Sequence, residues 1–320
     1  MITDLQVKSS RLRQLQALPL GAKIRRTENL VRAALEEFDN NVFVSFSGGA
    51  DSTVMLDIIW SLFPKVPAVF ADTGLEYPEV RTFVKSFGDR VVWVKPKMRF
   101  DEVIKNHGYP VVSKSVCQKI HEAKTTKSPR LFNLRMNGIK PDGRKYPHGK
   151  IPEKWKFLLD APFDVTSKCC KTIKNDPCDV YSKEHNAHAF VGTMAEESIS
   201  RKLSFFKLGC NAFKAKDPKS RPMMFWTTQD VLAYLKLKGI PYASVYGDIE
   251  EQDDGSLQFT GLDRTGCMFC MFGVHLEEGE NRFQRMKRTH PKQWDYCINT
   301  LGLGKVLKYT YPGLDYGGDA

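Results

Sequence analysis

Two sets of residues in this sequence have the types and spacing to do chemistry. The first is the octet 45–52, Ser-Phe-Ser-Gly-Gly-Ala-Asp-Ser. Glycines between a strand and a helix let backbone N–H groups point at an anion, and the helix N-terminus adds partial positive charge. Ser45, Ser47 and Ser52 add hydroxyl donors. The octet matches neither the G-x-x-x-x-G-K-[ST] phosphate loop nor the G-x-G-x-x-G dinucleotide turn. An ordinary strand-to-helix turn is the competing reading of its two glycines alone. The second set is the adjacent pair Cys169 and Cys170 with the remote C-x-x-C of Cys267 and Cys270. Four thiolates converging on one point suit Zn²⁺ or an iron–sulfur cluster, and composition does not choose between them.

These residues need a scaffold, and periodicity supplies one. Residues 22–38 read as a helix with Ile24, Leu30, Val31, Ala34 and Leu35 on one face. "NVFVSFS", "VPAVFADTG" and "RVVWVKP" read as strands, separated by the helices "DSTVMLDIIWSLF" and "PEVRTFVKSFG". Strand–helix–strand–helix–strand at this spacing predicts an α/β fold with a doubly wound parallel sheet. The expected organisation is a helical lead-in over 1–40, a nucleotide-binding domain over 41–245 and a C-terminal segment over 246–320. Periodicity fades in a basic insertion over about 107–165. "AHAFVGTMAEES" restores a strand, and "TTQDVLAYLKLKG" restores a helix whose Val231, Leu232 and Leu235, with the preceding Trp226, are expected in the core. "GDIEEQDDGSLQFTG" reads as a polar hairpin and is followed by the C-x-x-C and a helical tail.

The net charge is +11, with 48 Lys and Arg against 37 Asp and Glu. Such a balance favours an anionic partner, a nucleotide or a nucleic acid. The stretches 127–150 and 282–294 interleave cations with aromatic rings, a pattern that could stack bases and neutralise phosphates, but a flexible loop and a solvated helix face are the expected reading. No apolar run approaches the roughly 20 residues that span a bilayer, so no membrane partner is expected. The first residues lack the apolar core of a secretory signal, so the expected location is cytoplasmic. Eight cysteines in that compartment point away from a disulfide framework. Cys117, Cys178, Cys210 and Cys297 are expected to be plain thiols, and His275, just past the C-x-x-C, a structural histidine.

"SFSGGADS" resembles the PP-loop of the adenine-nucleotide α-hydrolase superfamily, and "VFADTGLEYPEVRTFV" resembles the next segment of its phosphoadenylyl-sulfate (PAPS) reductase branch. The resemblance implies that Ser45, Ser47, Gly48, Gly49, Asp51 and Ser52 hold the phosphate or sulfate end of an adenylyl nucleotide. It places Asp72, Thr73 and Gly74 near adenine and ribose. "VGTMAEESISR" is similar to the family's Gly-x-Arg-x-x-Glu-Ser-x-x-Arg segment, which assigns Gly192, Glu197, Ser198 and Arg201 to the same site. Met194 stands where the family has its first Arg, and Ala50 where many ATP-using relatives have Lys. The cysteine pairs look like the [4Fe–4S] motif of adenylyl-sulfate reductases, so the resemblance selects that cluster over zinc.

Three functions follow as expectations. The first is reduction of PAPS or adenylyl sulfate to sulfite, with a thioredoxin-like reductant. Relatives with that activity use a cysteine in a C-terminal Glu-Cys-Gly-Leu-His tail. No cysteine follows Cys297 here, so this reading calls for an internal nucleophile. The second is an ATP pyrophosphatase that adenylates an acceptor for sulfur insertion, as in nucleic-acid thiolation or DNA phosphorothioation. There Asp51 would bind Mg²⁺ and a sulfur donor would be the partner. The third is a non-catalytic nucleotide or redox sensor. The reductase-type reading is the one adopted from the sequence.

Overall fold

Short apolar runs bounded by turn residues become strands here, and the amphipathic stretches between them become helices. The structure, a computed structural model, describes residues 4–318. From the start, α1 (Asp4–Gln16) and α2 (Leu20–Glu37) precede β1 (Val42–Ser45), α3 (Ala50–Leu62), β2 (Ala68–Ala71), α4 (Pro78–Lys85) and β3 (Val91–Val94). Next come α5 (Phe100–His107), β4 (Val111–Val112), α6 (Lys114–Thr125) and α7 (Pro129–Asn137). They are followed by α8 (Asp176–Glu184), β5 (His188–Val191), α9 (Ile199–Leu208), α10 (Thr228–Lys238), β6 (Ile249–Glu251) and β7 (Leu257–Phe259). The last elements are β8 (Met271–Phe272), α11 (Arg282–Thr289), α12 (Pro291–Asp295) and α13 (Leu303–Thr310).

The chain divides into two compact units. Unit 1 takes the residues up to Asp72, Glu76–Lys95 and Asp176–Thr265. Its four-stranded sheet has the order β3-β2-β1-β5, with every neighbouring pair parallel. This is the expected α/β class. The strands are nearly continuous apolar runs, as parallel strands flanked by helices must be. Phe43, Val69, Tyr181 and Ala187 form a core cluster on the sheet. The order puts a topological switch at β1, because β2 and β3 lie on one side of it and β5 on the other. Ligands of open α/β sheets bind beyond the carboxyl ends of the strands at such a point.

One expectation for this unit needs correction. The buried face of α2 is Lys23, Thr27, Val31, Ala34 and Leu35, while Ile24 and Leu30 are half exposed. Its centre is therefore polar, because Lys23 meets the Asp230 carboxylate of α10 at 2.5 Å. The core positions of α10 are as expected, with Trp226, Val231, Leu232 and Leu235 all buried. The polar hairpin forms as antiparallel β6 and β7.

Unit 2 takes Thr73–Leu75, Pro96–Asn175 and the residues from Gly266 on. The basic stretch without a sequence period is structured. It holds α6, capped by Ser113, and α7, capped by Ser128 with Pro129 in its first turn. Of these, α7 shows no helical period because it has no buried residue and so no apolar stripe, whereas α6 buries Val116, Cys117, Ile120 and Ala123. Parallel β4 and β8 bring residues 111–112 against 271–272. The Tyr311 hydroxyl secures this pair by accepting from the Val112 N–H at 2.6 Å and donating to the Met271 carbonyl at 3.3 Å. Trp155, His275 and Tyr311 form an aromatic knot, His275 stacking on Tyr311 at 5.1 Å. No described helix is long and apolar enough to cross a membrane.

Candidate functional site

The loop between β1 and α3 starts from a fixed strand end. The Phe46 N–H donates to the Val69 carbonyl at 2.9 Å, and its ring packs edge-on against Phe83 and Phe87. Beyond it Gly48 takes φ +69°, where a Cβ would lie 2.7 Å from methyl groups of Val80 and Val84. Only glycine fits there. The hydroxyls of Ser47 and Ser52 sit 2.9 Å apart, and Ser52 donates to the Gly49 carbonyl at 2.9 Å. Asp51 lies in the first turn of α3, which suits a carboxylate by the helix dipole. Gly192 follows β5, and a Cβ on it would stand 3.2 Å from the Ser52 Cα. Its lack of a side chain lets the end of β5 approach the start of α3.

The sheet thus carries Ser45–Ser52, Asp72 and Gly192–Arg201 to its carboxyl edge. Asp72 is buried and accepts from the Arg81 guanidinium at 2.9 Å. Thr73 and Gly74 fall in unit 2, where the Leu75 N–H donates to the Thr73 hydroxyl at 3.1 Å. Ser198 caps α9, its hydroxyl accepting from the Arg201 N–H at 3.2 Å. Glu197 is nearly buried and forms ion pairs with both Arg201 and Arg264. Met194, where the family segment has an arginine, is 1% exposed and belongs to the core.

Sequence reasoning missed Arg264, Thr265 and Tyr246. The Tyr246 hydroxyl accepts from the Ala50 N–H at 3.1 Å and lies 2.8 Å from the Thr265 hydroxyl. Burial pushes the Asp51 carboxyl up from its ordinary value, Arg264 and Arg201 pull it down, and Glu196 pushes it up. Burial likewise lowers the Arg201 guanidinium, with Arg264 adding to this and Asp51 opposing it. Two guanidiniums from separate segments therefore pair on Glu197, and their charge is felt by Asp51 in the first turn of α3. Guanidiniums at a helix start fit the oxygens of a phosphate or sulfate. The available signal was a lone basic residue three positions before the C-x-x-C, which matches no motif.

The thiols of the second set all lie in unit 2. Cys169 is buried, while Cys170, Cys267 and Cys270 are half-buried and free of disulfides. Cys169 and Cys170 are followed at once by a π-helical turn, Lys171–Asn175. The Cys270 N–H donates to the Cys267 carbonyl at 3.1 Å, and Arg282 donates to the Cys270 carbonyl at 2.9 Å. Burial pushes the Cys169 thiol up; Cys170, Cys267 and Cys270 add to this, and Lys114 opposes it. Burial raises Cys270 as well, with Arg282 and Lys114 pulling it down and Cys170 pushing it up. Cys169 thus feels the other three thiols, and Lys114 and Arg282 bring positive charge beside them; four cysteines with such neighbours suit a Cys₄ centre in donor chemistry. Among the described residues, no group of three or more His, Cys, Asp or Glu side chains is arranged to hold a metal ion.

Burial disfavours the thiolate at three of the remaining cysteines. Burial pushes Cys117 up to about 12, Cys210 up to about 11, and Cys297 upward as well. Cys117 donates to the Val111 carbonyl at 2.8 Å, a structural contact.

Comparison with known proteins follows the same lines. The family described as the phosphoadenosine phosphosulfate reductase domain matches residues 41–128 and 90–271. An uncharacterized protein of Methanocaldococcus jannaschii is 23% identical over 282 residues, which covers 87% of this chain and 45% of that protein. The chain thus spans under half the length of that relative. An adenosine 5'-phosphosulfate reductase of Staphylococcus epidermidis is 23% identical over 231 residues, covering 72% of this chain and 74% of the relative. Among solved structures, the phosphate complex of a PAPS reductase from Candida auris is 17% identical with a TM-score of 0.41, covering 74% of this chain and 88% of that one.

Proposed function

The chain belongs to the phosphoadenosine phosphosulfate reductase domain family, and from that premise we propose that it binds adenylyl sulfate or PAPS and reduces it to sulfite. Ser45, Ser47, Gly48, Gly49, Asp51 and Ser52 cradle the sulfate or phosphate end, and Asp72 and Gly192 complete the nucleotide site within unit 1. The observation that carries this reading is the pairing of Arg201 and Arg264 on Glu197, beside the first turn of α3. Arg264 supplies the second guanidinium that Met194 no longer provides. Glu197 and Ser198 hold these cations in place when no anion is bound, the first by charge and the second by capping α9.

We assign Cys169, Cys170, Cys267 and Cys270 to a [4Fe–4S] cluster, which the donor chemistry supports. When bound, the cluster supplies a delocalised charge centre that ties two remote cysteine segments together. Reduction of the sulfonucleotide consumes two electrons from a dithiol of the thioredoxin class, which becomes a disulfide, and releases sulfite with AMP from adenylyl sulfate or with adenosine 3',5'-bisphosphate from PAPS.

A second reading has one observation in its favour. Burial pushes the Cys117, Cys210 and Cys297 thiols up, which disfavours the thiolate that attack on sulfur needs. An ATP pyrophosphatase needs no such thiolate. It would bind Mg²⁺ through Asp51, adenylate an acceptor and let a sulfur donor displace AMP.

Product analysis separates the two. Anaerobically purified protein is supplied with adenylyl sulfate or PAPS and a thioredoxin system, and in parallel with ATP and Mg²⁺. Sulfite from the first reaction, lost in Cys169→Ser, supports the reductase. Pyrophosphate from the second reaction with no sulfite from the first transfers the assignment to adenylation.

A further inference from the structure

The mechanism leaves the positive charge unused, and that charge is unevenly placed. Unit 2 holds 25 Lys and Arg against 13 Asp and Glu, whereas unit 1 holds 23 against 24. Within unit 2 one long stretch of this excess is 127–156, with nine basic residues and two acidic ones. Asp142 pairs with Arg144 and Glu153 with Lys156, so the stretch keeps an excess of seven basic residues.

This stretch is a fastened surface and not a loose coil. Arg135 of α7 bonds Glu122 of α6 at 2.5 Å and the Gly149 carbonyl at 2.9 Å. The Ile151 N–H donates to the Arg135 carbonyl at 2.8 Å, and Lys119 donates to the Lys150 carbonyl at 3.1 Å. Between these anchors the chain folds back on itself. The Lys140 N–H reaches the Arg144 carbonyl, the Tyr146 N–H reaches the Gly138 carbonyl, and Ile139 bridges Lys145. The result is a stiff turn on which every residue from Pro141 to His148 is exposed. It presents Arg144, Lys145, His148 and the Tyr146 ring, with the Lys140 ammonium 4.7 Å from that ring's centroid. On α7, Phe132 is 48% exposed among residues of which none is buried, with Arg130 also exposed.

Cations set on a rigid frame neutralise phosphates, and exposed rings among them stack bases. A duplex offers phosphates but no unstacked base, so the rings discriminate in favour of single strands. We propose that the 127–148 face of unit 2 binds single-stranded nucleic acid, with Arg130, Lys140, Arg144 and Lys145 on the phosphates and Phe132 and Tyr146 as stacking platforms. The inference goes beyond the nucleotide reading and does not rest on it, since none of these residues belongs to the candidate nucleotide site.

The test is fluorescence anisotropy of the full chain with dye-labelled single strands of about 20 nucleotides, DNA and RNA, over a salt series. Matched duplex and anionic phospholipid vesicles run alongside. The wild type is expected to bind one or both single strands in preference to duplex and vesicles, with affinity falling linearly in log salt. The double variant Arg144→Glu/Lys145→Glu should lose at least about tenfold and flatten the salt slope. Phe132→Ala/Tyr146→Ala should lose about tenfold while keeping the slope, since stacking carries no counterion release. These side chains are exposed, so thermal denaturation should show all variants folded, and their affinity for adenylyl nucleotide should match the wild type. No single-strand binding at about 0.1 M salt would overturn the proposal, as would equal affinity for duplex or vesicles or unchanged binding in both variants.

Discussion

At the scale of single residues, the account depends on Gly48 and on the cations that face α3. An alanine at 48 would combine a left-handed backbone with a Cβ 2.7 Å from two valine methyls, so loop or α4 must shift. Strain of this kind costs about 1–3 kcal/mol. Gly48→Ala is therefore expected to lower the melting temperature by several degrees and to weaken adenylyl nucleotide binding at least about tenfold, read by thermal denaturation and calorimetry. Wild-type affinity in that variant would mean that the loop does not hold the anion. Much of this site was legible, because the loop and the Glu197–Arg201 segment are contiguous strings of unusual composition. Arg264 was not. It reaches Glu197 from 67 positions away, beyond a hairpin, and carries no local pattern.

At the scale of elements, one buried ion pair joins α2 to α10. Lys23 is 2% exposed, and the Asp230 carboxylate that meets it also accepts the Thr227 N–H and hydroxyl at 2.7 Å. Removing one partner of such a pair leaves an uncompensated buried charge, at a cost of about 3–5 kcal/mol. Asp230→Ala should approach that loss in urea denaturation and Lys23→Met should lose less, because Asp230 keeps its Thr227 contacts. Periodicity could not reveal this pair, since it scores a lysine as solvent-facing. In unit 2, His275 behaves differently. Burial against Tyr311 and Trp155, with Lys154 opposing a second positive charge, holds its pKa below the ordinary value. The folded state therefore favours neutral imidazole, and the unfolded chain binds more protons as pH falls below about 6.5. This contribution is intact above that value and is lost as pH falls through the folded pKa. His275→Phe should flatten the pH dependence of stability in that window; an unchanged profile would remove His275 as its source.

At the scale of the whole molecule, the strand-and-helix alternation was readable because parallel strands are apolar runs of fixed length. The division into two units was not, since unit 2 is assembled from three stretches of chain and α7 has no apolar stripe. The Cys169 thiol feels the charge of Cys170, Cys267 and Cys270, so a shared metal centre, if these cysteines hold one, would depend on that assembly. Anaerobic protein is expected to carry about four irons per chain with broad visible absorption, and Cys270→Ser should lose most of both. Stoichiometric zinc in place of iron would reassign the centre. The most direct test of the central claim is calorimetric titration of anaerobic protein with adenylyl sulfate, beside Arg264→Ala. The account predicts saturable binding by the wild type and a loss of about tenfold or more in the variant, the worth of one charge-assisted hydrogen bond. No binding by folded wild-type protein, or equal affinity in the two, would contradict it.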